Sequence, residues 1–441
     1  MLIAARAGVV AATILVLPIG AGGACPATFK TINSCGIVTS NVCLSADLST
    51  STGDCLKVRA SGVTVDGNGR RISAPGFAVS WVDQSRVTVR NVISQRGVQI
   101  YGGKASNNLV ENSDLGTVGI YMGNDNVVRN SKIKGLDVQG LNNDPPLRTV
   151  VTGNTIAGTS GNLVHISPGG NGQVACVRSD FRIENNVIRG TAAGASDQAL
   201  LYLRCGTHNT IVGNTLRSTG KARGMYLRDQ ADNNLIQDNF VWINQGDRGA
   251  IHFSSGNVDK GHPRNNTIDR NVFRADAARS IWLQSNDFRN NTFTRNLFWS
   301  NASEGARISG GSNNVFDHNT FYNVTLVGPV LVIQQTTPPG NTYTNNILVS
   351  TNPKPVIVTS GVFDIRGYHA DYNVFFWLFA ELSGPLGLAI LQAVTGAEAH
   401  SIVADPRFAN PSAGDFRLQP GSPALTADSN GGPAGAFGPA S

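Results

Sequence analysis

The sequence predicts an all-β protein: one chain wound as a parallel β-helix solenoid of about eleven coils. Three observations carry that expectation. Asparagine-bounded phrases recur along the chain. "NNLVEN" ends at Asn112, "NNLIQDN" at Asn239, "NNTIDRN" at Asn271 and "NNVFDHN" at Asn319. Their last asparagines fall at Asn91, Asn112, Asn130, Asn154, Asn186, Asn214, Asn239, Asn271, Asn296, Asn319 and Asn346. A repeat of roughly 20 to 30 residues with variable insertions marks a stacked architecture. Within each unit two short segments alternate apolar and polar, as in "GMYLR" followed by "NLIQDN", and period two means strand. No helix-length amphipathic stretch separates them. Short strands that stack on copies of themselves bury a continuous core.

The asparagines are expected to hold the stack together. Each is placed at a tight corner, where asparagine tolerates left-handed backbone. Its amide can donate to one neighbouring coil and accept from the other, forming a ladder. A catalytic role for all of them conflicts with their regularity, because a catalytic group is needed once.

The ends differ in composition. Residues 1–24 read as an export signal: Arg6, the apolar run "GVVAATILVLPIG", then "AGGA" before a cut near Ala24. The run is too short to span a bilayer comfortably. A lipid-modified Cys25 is disfavoured because Gly22 stands where such signals carry leucine. The exported product is expected to be secreted, periplasmic or on the cell surface. Residues 25–55 hold Cys25, Cys35, Cys43 and Cys55, which read as a disulfide-rich cap whose three possible pairings the sequence leaves open. Residues 56–376 form the solenoid. Residues 377–441 contain "GPLGLAILQAVTGAEAH", a capping helix, and an extended tail. Both ends of a stacked sheet expose strand edges that must be covered.

The net charge of +6 allows an acidic partner and equally a solvated surface. Nothing points to nucleic acid, to stable membrane insertion or to an oligomer.

Further motifs resemble a known family. "VTVDGNGRRI" at 63–72 resembles the first coil, "DYNVFF" at 371–376 the last coil, and "DPRFANPSAGDFRLQPGSPA" at 405–424 the tail of right-handed parallel β-helix repeat proteins, the pectate-lyase-like superfamily. The resemblance covers roughly residues 55–425. It implies a right-handed coil and leaves the activity open, since that superfamily holds lyases, hydrolases, epimerases and binding proteins.

Aligning the strand before each ladder unit gives a small–apolar–x–apolar–x pattern, with the x residues pointing outward. Leu203, Leu227, Phe253 and Leu283 should then face the interior. One outward column reads Gln99, Tyr121, His165, Tyr202, Tyr226, His252, Trp282 and Arg307. A second reads Ser167, Arg204, Arg228, Ser254, Gln284 and Ser309. Neighbours in a column lie about 4.8 Å apart. Arg204 beside Arg228 is unfavourable without an anion between them, whether a ligand or carboxylates such as Asp197 and Asp229. Two long insertions, 168–180 after His165 and 255–264 after His252, would wall a cleft. A Cys176–Cys205 bridge would pin one wall.

Glycoside hydrolysis needs two facing carboxylates, and these columns offer none. The Asp–Asp and Gly–His–Gly motifs of polygalacturonases and the Asp–Pro–His motif of alginate epimerases are absent. β-Elimination of a uronate needs a cation to neutralise the sugar carboxylate, a base and an acid. Arg204 and Arg228 suit neutralisation; His252, Tyr226 and Lys260 are candidate bases or acids. Tyr121, His165, Tyr202, Trp282, Gln284 and Arg307 are candidate substrate contacts. No cofactor is required; a calcium site at Asp229 and Asp232 is weakly supported. The reading is a lyase acting on an acidic polysaccharide. The alternative is a non-catalytic carbohydrate-binding surface protein, in which the aromatic side chains serve only to stack sugars.

Overall fold

The computed structural model describes residues 23–440 except 142–143, 170–175, 192–197, 246–247, 256–260, 285–286, 303, 325–327, 337–339, 352–355, 364–366 and 378–384. The expected export signal, Asp197 and Lys260 lie outside the described residues. The rest falls into two compact units, 23–216 and 217–440.

Among the described residues of the first unit, nine parallel strands form one sheet, from Lys30–Ile32 to Thr210–Val212. In the second unit six strands pair in the same way, from Leu235–Gln237 to Tyr368–Asp371. The strands are so short because each inserts essentially one side chain. The middle residue points inward, and Val89, Val110, Val128, Ile183 and Ile211 are fully buried in the first unit, as are Ile236, Ile268, Phe293 and Phe316 in the second. In-register pairing stacks like on like: Val110 lies opposite Val128, and Phe293 stacks on Phe316 with ring centroids 4.7 Å apart. The flanking residues face outward and pair across coils, as Arg129 does with Glu111 at 2.7 Å. The four interior residues expected from the second strand type, Leu203, Leu227, Phe253 and Leu283, are all fully buried. That register is therefore correct.

The asparagines form two ladders. In the second unit Asn239, Asn271, Asn296, Asn319, Asn346 and Asn373 make one. Asn271 donates its backbone N–H (2.9 Å) and side-chain amide (3.0 Å) to Asn296 Oδ1. The same amide donates to the Ile236 carbonyl at 2.9 Å. The other ladder runs through Asn234, Asn266, Asn291, Asn314 and Asn341 on the opposite side of each short strand. The first unit repeats the device with Ser131, Asn154, Asn186 and Asn214. One expectation needs correction. The rungs are not the left-handed residues. In most coils the residue before the rung takes positive φ: Asp238, Arg270, Arg295, His318 and Asn345. Asn91, Asn112 and Asn130 are themselves left-handed, at φ 54, 48 and 50, and the rung positions after them hold Val92, Ser113 and Ser131. The corner residue turns the chain outward-to-inward, so only its successor can reach the interior.

The rung-to-rung bonds have a direction, each Asn donating to the Oδ1 of the next rung toward the C-terminus, so the last rung needs an acceptor. Asn373 gives its side-chain amide to Glu398 Oε2 at 2.9 Å and its N–H to Ser401 Oγ at 2.8 Å. Tyr368 donates to the other Glu398 oxygen at 2.7 Å. The helix expected near the C-terminus is Pro385–Thr395, and Gln392 ties it to the Glu398 carbonyl at 2.7 Å. The tail lies along the second unit, where Phe416, Leu418, Ala424 and Ala434 pack on Trp299, Tyr322, Ile347 and Val349. At the other end of the chain the open pairing resolves to Cys25–Cys43 and Cys35–Cys55. The strand Val42–Leu44 of that cysteine-rich segment continues the first unit's sheet, with Val42 opposite Val65.

Two predictions follow from these contacts. Asn271→Ala orphans the Asn239 donors and removes a buried acceptor. It should destabilise by roughly 1–3 kcal/mol, read as a lower denaturant midpoint at unchanged slope. His318 joins Asp317 (2.8 Å) to Asp428 of the tail (3.3 Å). The hydrogen bond that its Nδ1–H donates to Asp317 raises the His318 pKa, against burial and with help from Asp428. A raised folded pKa means the stabilisation is complete below the ordinary histidine value and is lost as pH rises through the folded value. Wild type should therefore lose stability over that window, while His318→Gln should show a flatter pH profile of melting temperature.

Candidate functional site

The first unit holds a polar cleft of about 570 Å³ lined by Thr117, Lys134, Asp137, Ser160, Asn162 and His165, among others. Its floor comes from neighbouring strands. Asp114–Tyr121 pairs with Lys132–Gln139, which pairs with Val164–Ser167, which pairs with Ala199–Arg204. Gly119, Asp137, His165 and Tyr202 therefore share one column, and Tyr101, Tyr121, Gln139 and Ser167 share the next. Tyr121 does not stand in line with Gln99 and His165, as expected; Gln99 lies opposite Gly119. The strand pattern belongs to "TVGIY" at 117–121, which starts two residues before the "GIYMG" that would put Tyr121 in that column. A slip of two preserves the outward face and changes the neighbours.

Asp137 is the centre of this arrangement. Its Oδ1 lies 2.9 Å from His165 Nδ1. The Gln139 side-chain amide donates to both carboxylate oxygens, at 2.7 and 2.8 Å. Tyr121 donates its hydroxyl to Oδ2 at 2.9 Å. Burial works against the charge of Asp137, but the hydrogen bonds from His165, Gln139 and Tyr121 prevail and hold its carboxyl below the ordinary value. Burial, followed by the charge and hydrogen bond of Asp137, pushes the Tyr121 phenol far above its ordinary value. The His165 ring is packed against Tyr202, with centroids 5.2 Å apart. Lys134 also lines the cleft and donates to Gln95 at 2.6 Å. Arg204 ends the next strand, half-buried, followed by Cys205. Cys205 is bridged to Cys176 with Cα atoms 4.3 Å apart. The insertion between His165 and that bridge is described only in part, because residues 170–175 lie outside the described set.

The second unit carries the other half of the expected stripe. Tyr226, His252, Trp282 and Arg307 do form one column. Their rings stack: Tyr226 on His252 and His252 on Trp282, each at 5.0 Å between centroids. They face away from the interior yet are covered. Tyr202, Tyr226 and His252 are 6%, 3% and 1% exposed, against the expectation of an open face. Guanidinium groups pack on the column in this unit. Arg223 lies 4.1 Å from the Tyr226 ring centroid, and Arg279 and Arg248 lie 4.6 and 5.2 Å from that of Trp282. His252 Nε2 meets Gln284 Oε1 at 3.0 Å. Burial, then the charge of Arg223, holds its pKa well below the ordinary value, so the ring is neutral. Tyr226 bonds to Ser254 at 2.7 Å. Arg307 and Arg279 share Glu304. Arg228 lies 3.9 Å from the fully buried Asp229. Asp232 accepts the Arg264 N–H at 2.8 Å, and burial raises its pKa to about 6. Among the described residues no three histidine, cysteine or carboxylate side chains are grouped to hold a metal ion.

The family described as right handed beta helix region matches residues 142–326 and 264–368, together more than half of the chain. The chain belongs to the right-handed β-helix family. Among solved structures this β-helix protein is similar to a PL6 family polysaccharide lyase from Pseudopedobacter saltans, at 14% identity over 79% of this chain and 90% of that one, with a TM-score of 0.44. It is also similar to the tailspike protein of E. coli bacteriophage HK620 in complex with a pentasaccharide, at 11% identity over 85% and 72%, with a TM-score of 0.41. A third is the A-module of the mannuronan C-5 epimerase AlgE6 from Azotobacter vinelandii, at 12% identity over 83% and 91%, with a TM-score of 0.39. No curated protein sequence matches. None of these likenesses assigns an activity to this β-helix.

Sequence reasoning missed Asp137, Gln139 and Lys134. The signal was present: "GLDVQ" at 135–139 fits the same small–apolar–x–apolar–x pattern.

Proposed function

We propose that this protein is an exported enzyme that cleaves an acidic, uronate-containing polysaccharide by β-elimination in the cleft of its first unit. The observation that carries the reading is the hydrogen-bonded Asp137–His165 pair opening on a polar cleft beside Lys134. An ionised Asp137 accepts the Nδ1 proton of His165 and leaves Nε2 as a base. The Lys134 ammonium supplies the positive charge that a uronate carboxylate needs as the neighbouring proton becomes acidic. In this scheme His165 Nε2 takes the proton on the carbon next to the carboxylate. The released electron pair forms the new carbon–carbon double bond, the glycosidic bond breaks, and the leaving oxygen takes a proton from solvent. Among the described residues lining the cleft Asp137 is the one carboxylate, so two-carboxylate hydrolysis lacks its second group. Arg204 extends the same unit's face as a substrate contact, whereas Tyr202 is buried against the His165 ring. The three disulfides suit an oxidising, extracytoplasmic setting.

The proposal relocates the base from His252 to His165. His252 is buried between the rings of Tyr226 and Trp282, and Trp282, with His252 on one side and two guanidiniums beside it, offers little free ring for a sugar.

Incubation with a panel of uronate polymers should release products with the ultraviolet absorbance of an unsaturated uronate. His165→Ala should lower turnover by about 10²–10⁴-fold, with Lys134→Met losing about a hundredfold or more. Retention of a polymer with no unsaturated product would favour the non-catalytic binding protein instead.

A further inference from the structure

Resting on that site, the geometry points to Tyr121 and Gln139 as positioning residues: they lock Asp137 so that His165 carries its proton on Nδ1 and presents a bare Nε2 to the cleft. The argument begins with acceptor capacity. An ionised carboxylate has about four lone-pair sites and no proton to give. Asp137 receives four contacts from donors: His165 Nδ1 and one Gln139 N–H on Oδ1, the other Gln139 N–H and the Tyr121 hydroxyl on Oδ2. Every site is filled, so the carboxylate cannot turn without breaking several bonds. An acceptor-only Asp137 at 2.9 Å requires the hydrogen to sit on His165 Nδ1. Gln139 also lies 3.5 Å from that nitrogen, too far to compete for it. In the neutral ring the second nitrogen is then unprotonated.

The backbone is arranged to permit this clamp. Tyr121 stands in the column beside Asp137, and its ring lies across Gly119. A Cβ on Gly119 would come within 2.7 Å of Tyr121 Cε2. Glycine at 119 therefore gives the phenol its path to Asp137. Gln139 needs no such path, since it lies two residues along the same strand and on the same face as Asp137. The other groups near the pair are Tyr202, packed on the His165 ring, and Lys134 of the cleft wall. Among the described residues, the hydrogen-bond contacts of the His165 ring are all made at Nδ1.

The test uses the full chain labelled with ¹⁵N and long-range histidine ¹⁵N spectra, with His165→Gln assigning the resonance. Wild type should show His165 as the Nδ1–H tautomer, with Nε2 bare. The double variant Tyr121→Phe with Gln139→Met should show a mixed tautomer. On whichever uronate polymer is cleaved, its kcat should fall about tenfold or more with KM changed less than about twofold, as expected for a misplaced base. Gly119→Ala, whose Cβ would displace the Tyr121 ring, should shift both readouts in the same direction as the double variant. An Nε2–H tautomer in wild type, or a wild-type spectrum in the double variant, overturns the inference. The wild-type spectrum decides the tautomer even where a variant fails to fold. Absence of any cleaved polymer refutes the lyase and leaves the spectra to judge the clamp.

Discussion

The structure depends on one constraint: coils stacked at strand spacing must satisfy every buried polar group at each corner. A three-residue strand leaves two corners per coil where backbone N–H groups face the interior. Water is excluded there, and an orphaned donor costs about 1–3 kcal/mol. Asparagine solves this with one side chain. Its Oδ1 accepts two donors from the preceding coil and its amide serves a carbonyl and the following rung, as Asn296 does between Asn271 and Asn319. Because the ladder is polar along its length, it must begin and end on something else. In the first unit serines open it at Ser113 and Ser131; in the second unit Glu398 closes it. A carboxylate suits the terminus because it only accepts.

Ladder registration makes a site possible. Once rungs fix the coils in register, outward residues of successive coils come into columns without any further instruction. Asp137, His165 and Tyr202 arrive from three coils and 28 and 37 residues of separation by that means. The insertion lengths between them are irrelevant to the geometry, since loops leave from corners while strands stay paired. A rigid sheet can thus hold a hydrogen-bonded carboxylate and imidazole to the tolerance that proton transfer demands.

The same columns have a different fate in the two units. In the first, the outward column contains a glycine, a carboxylate and a histidine, and it stays partly open. In the second it is an aromatic stack, and rings at strand spacing attract guanidinium groups to their faces and edges. Arg223 lies over Tyr226, and Arg248 and Arg279 lie over Trp282. A second stack beyond it, Trp242–Arg274–Trp299, is built on the same principle, with Arg274 4.9 and 4.1 Å from the two ring centroids. Aromatic residues on a β face can therefore be packing partners for arginine as readily as platforms for a ligand.

The sequence by itself determined the fold class, the inward residues and the existence of a ladder, because all three are periodic and a period survives translation into any coil. It also marked the pairing partners Tyr226, His252, Trp282 and Arg307, whose motifs share one spacing. It misplaced Tyr121 by two residues, since alternation specifies a face and not a neighbour, and only backbone pairing puts Gly119 opposite Gln99. It could not separate the left-handed corner from the rung, since asparagine fits both and the choice depends on which residue points inward. Tertiary structure alone decided which outward residues remain accessible. Burial of His252 and opening of the cleft at Asp137 and His165 come from side chains far away in sequence, whose reach no local pattern records.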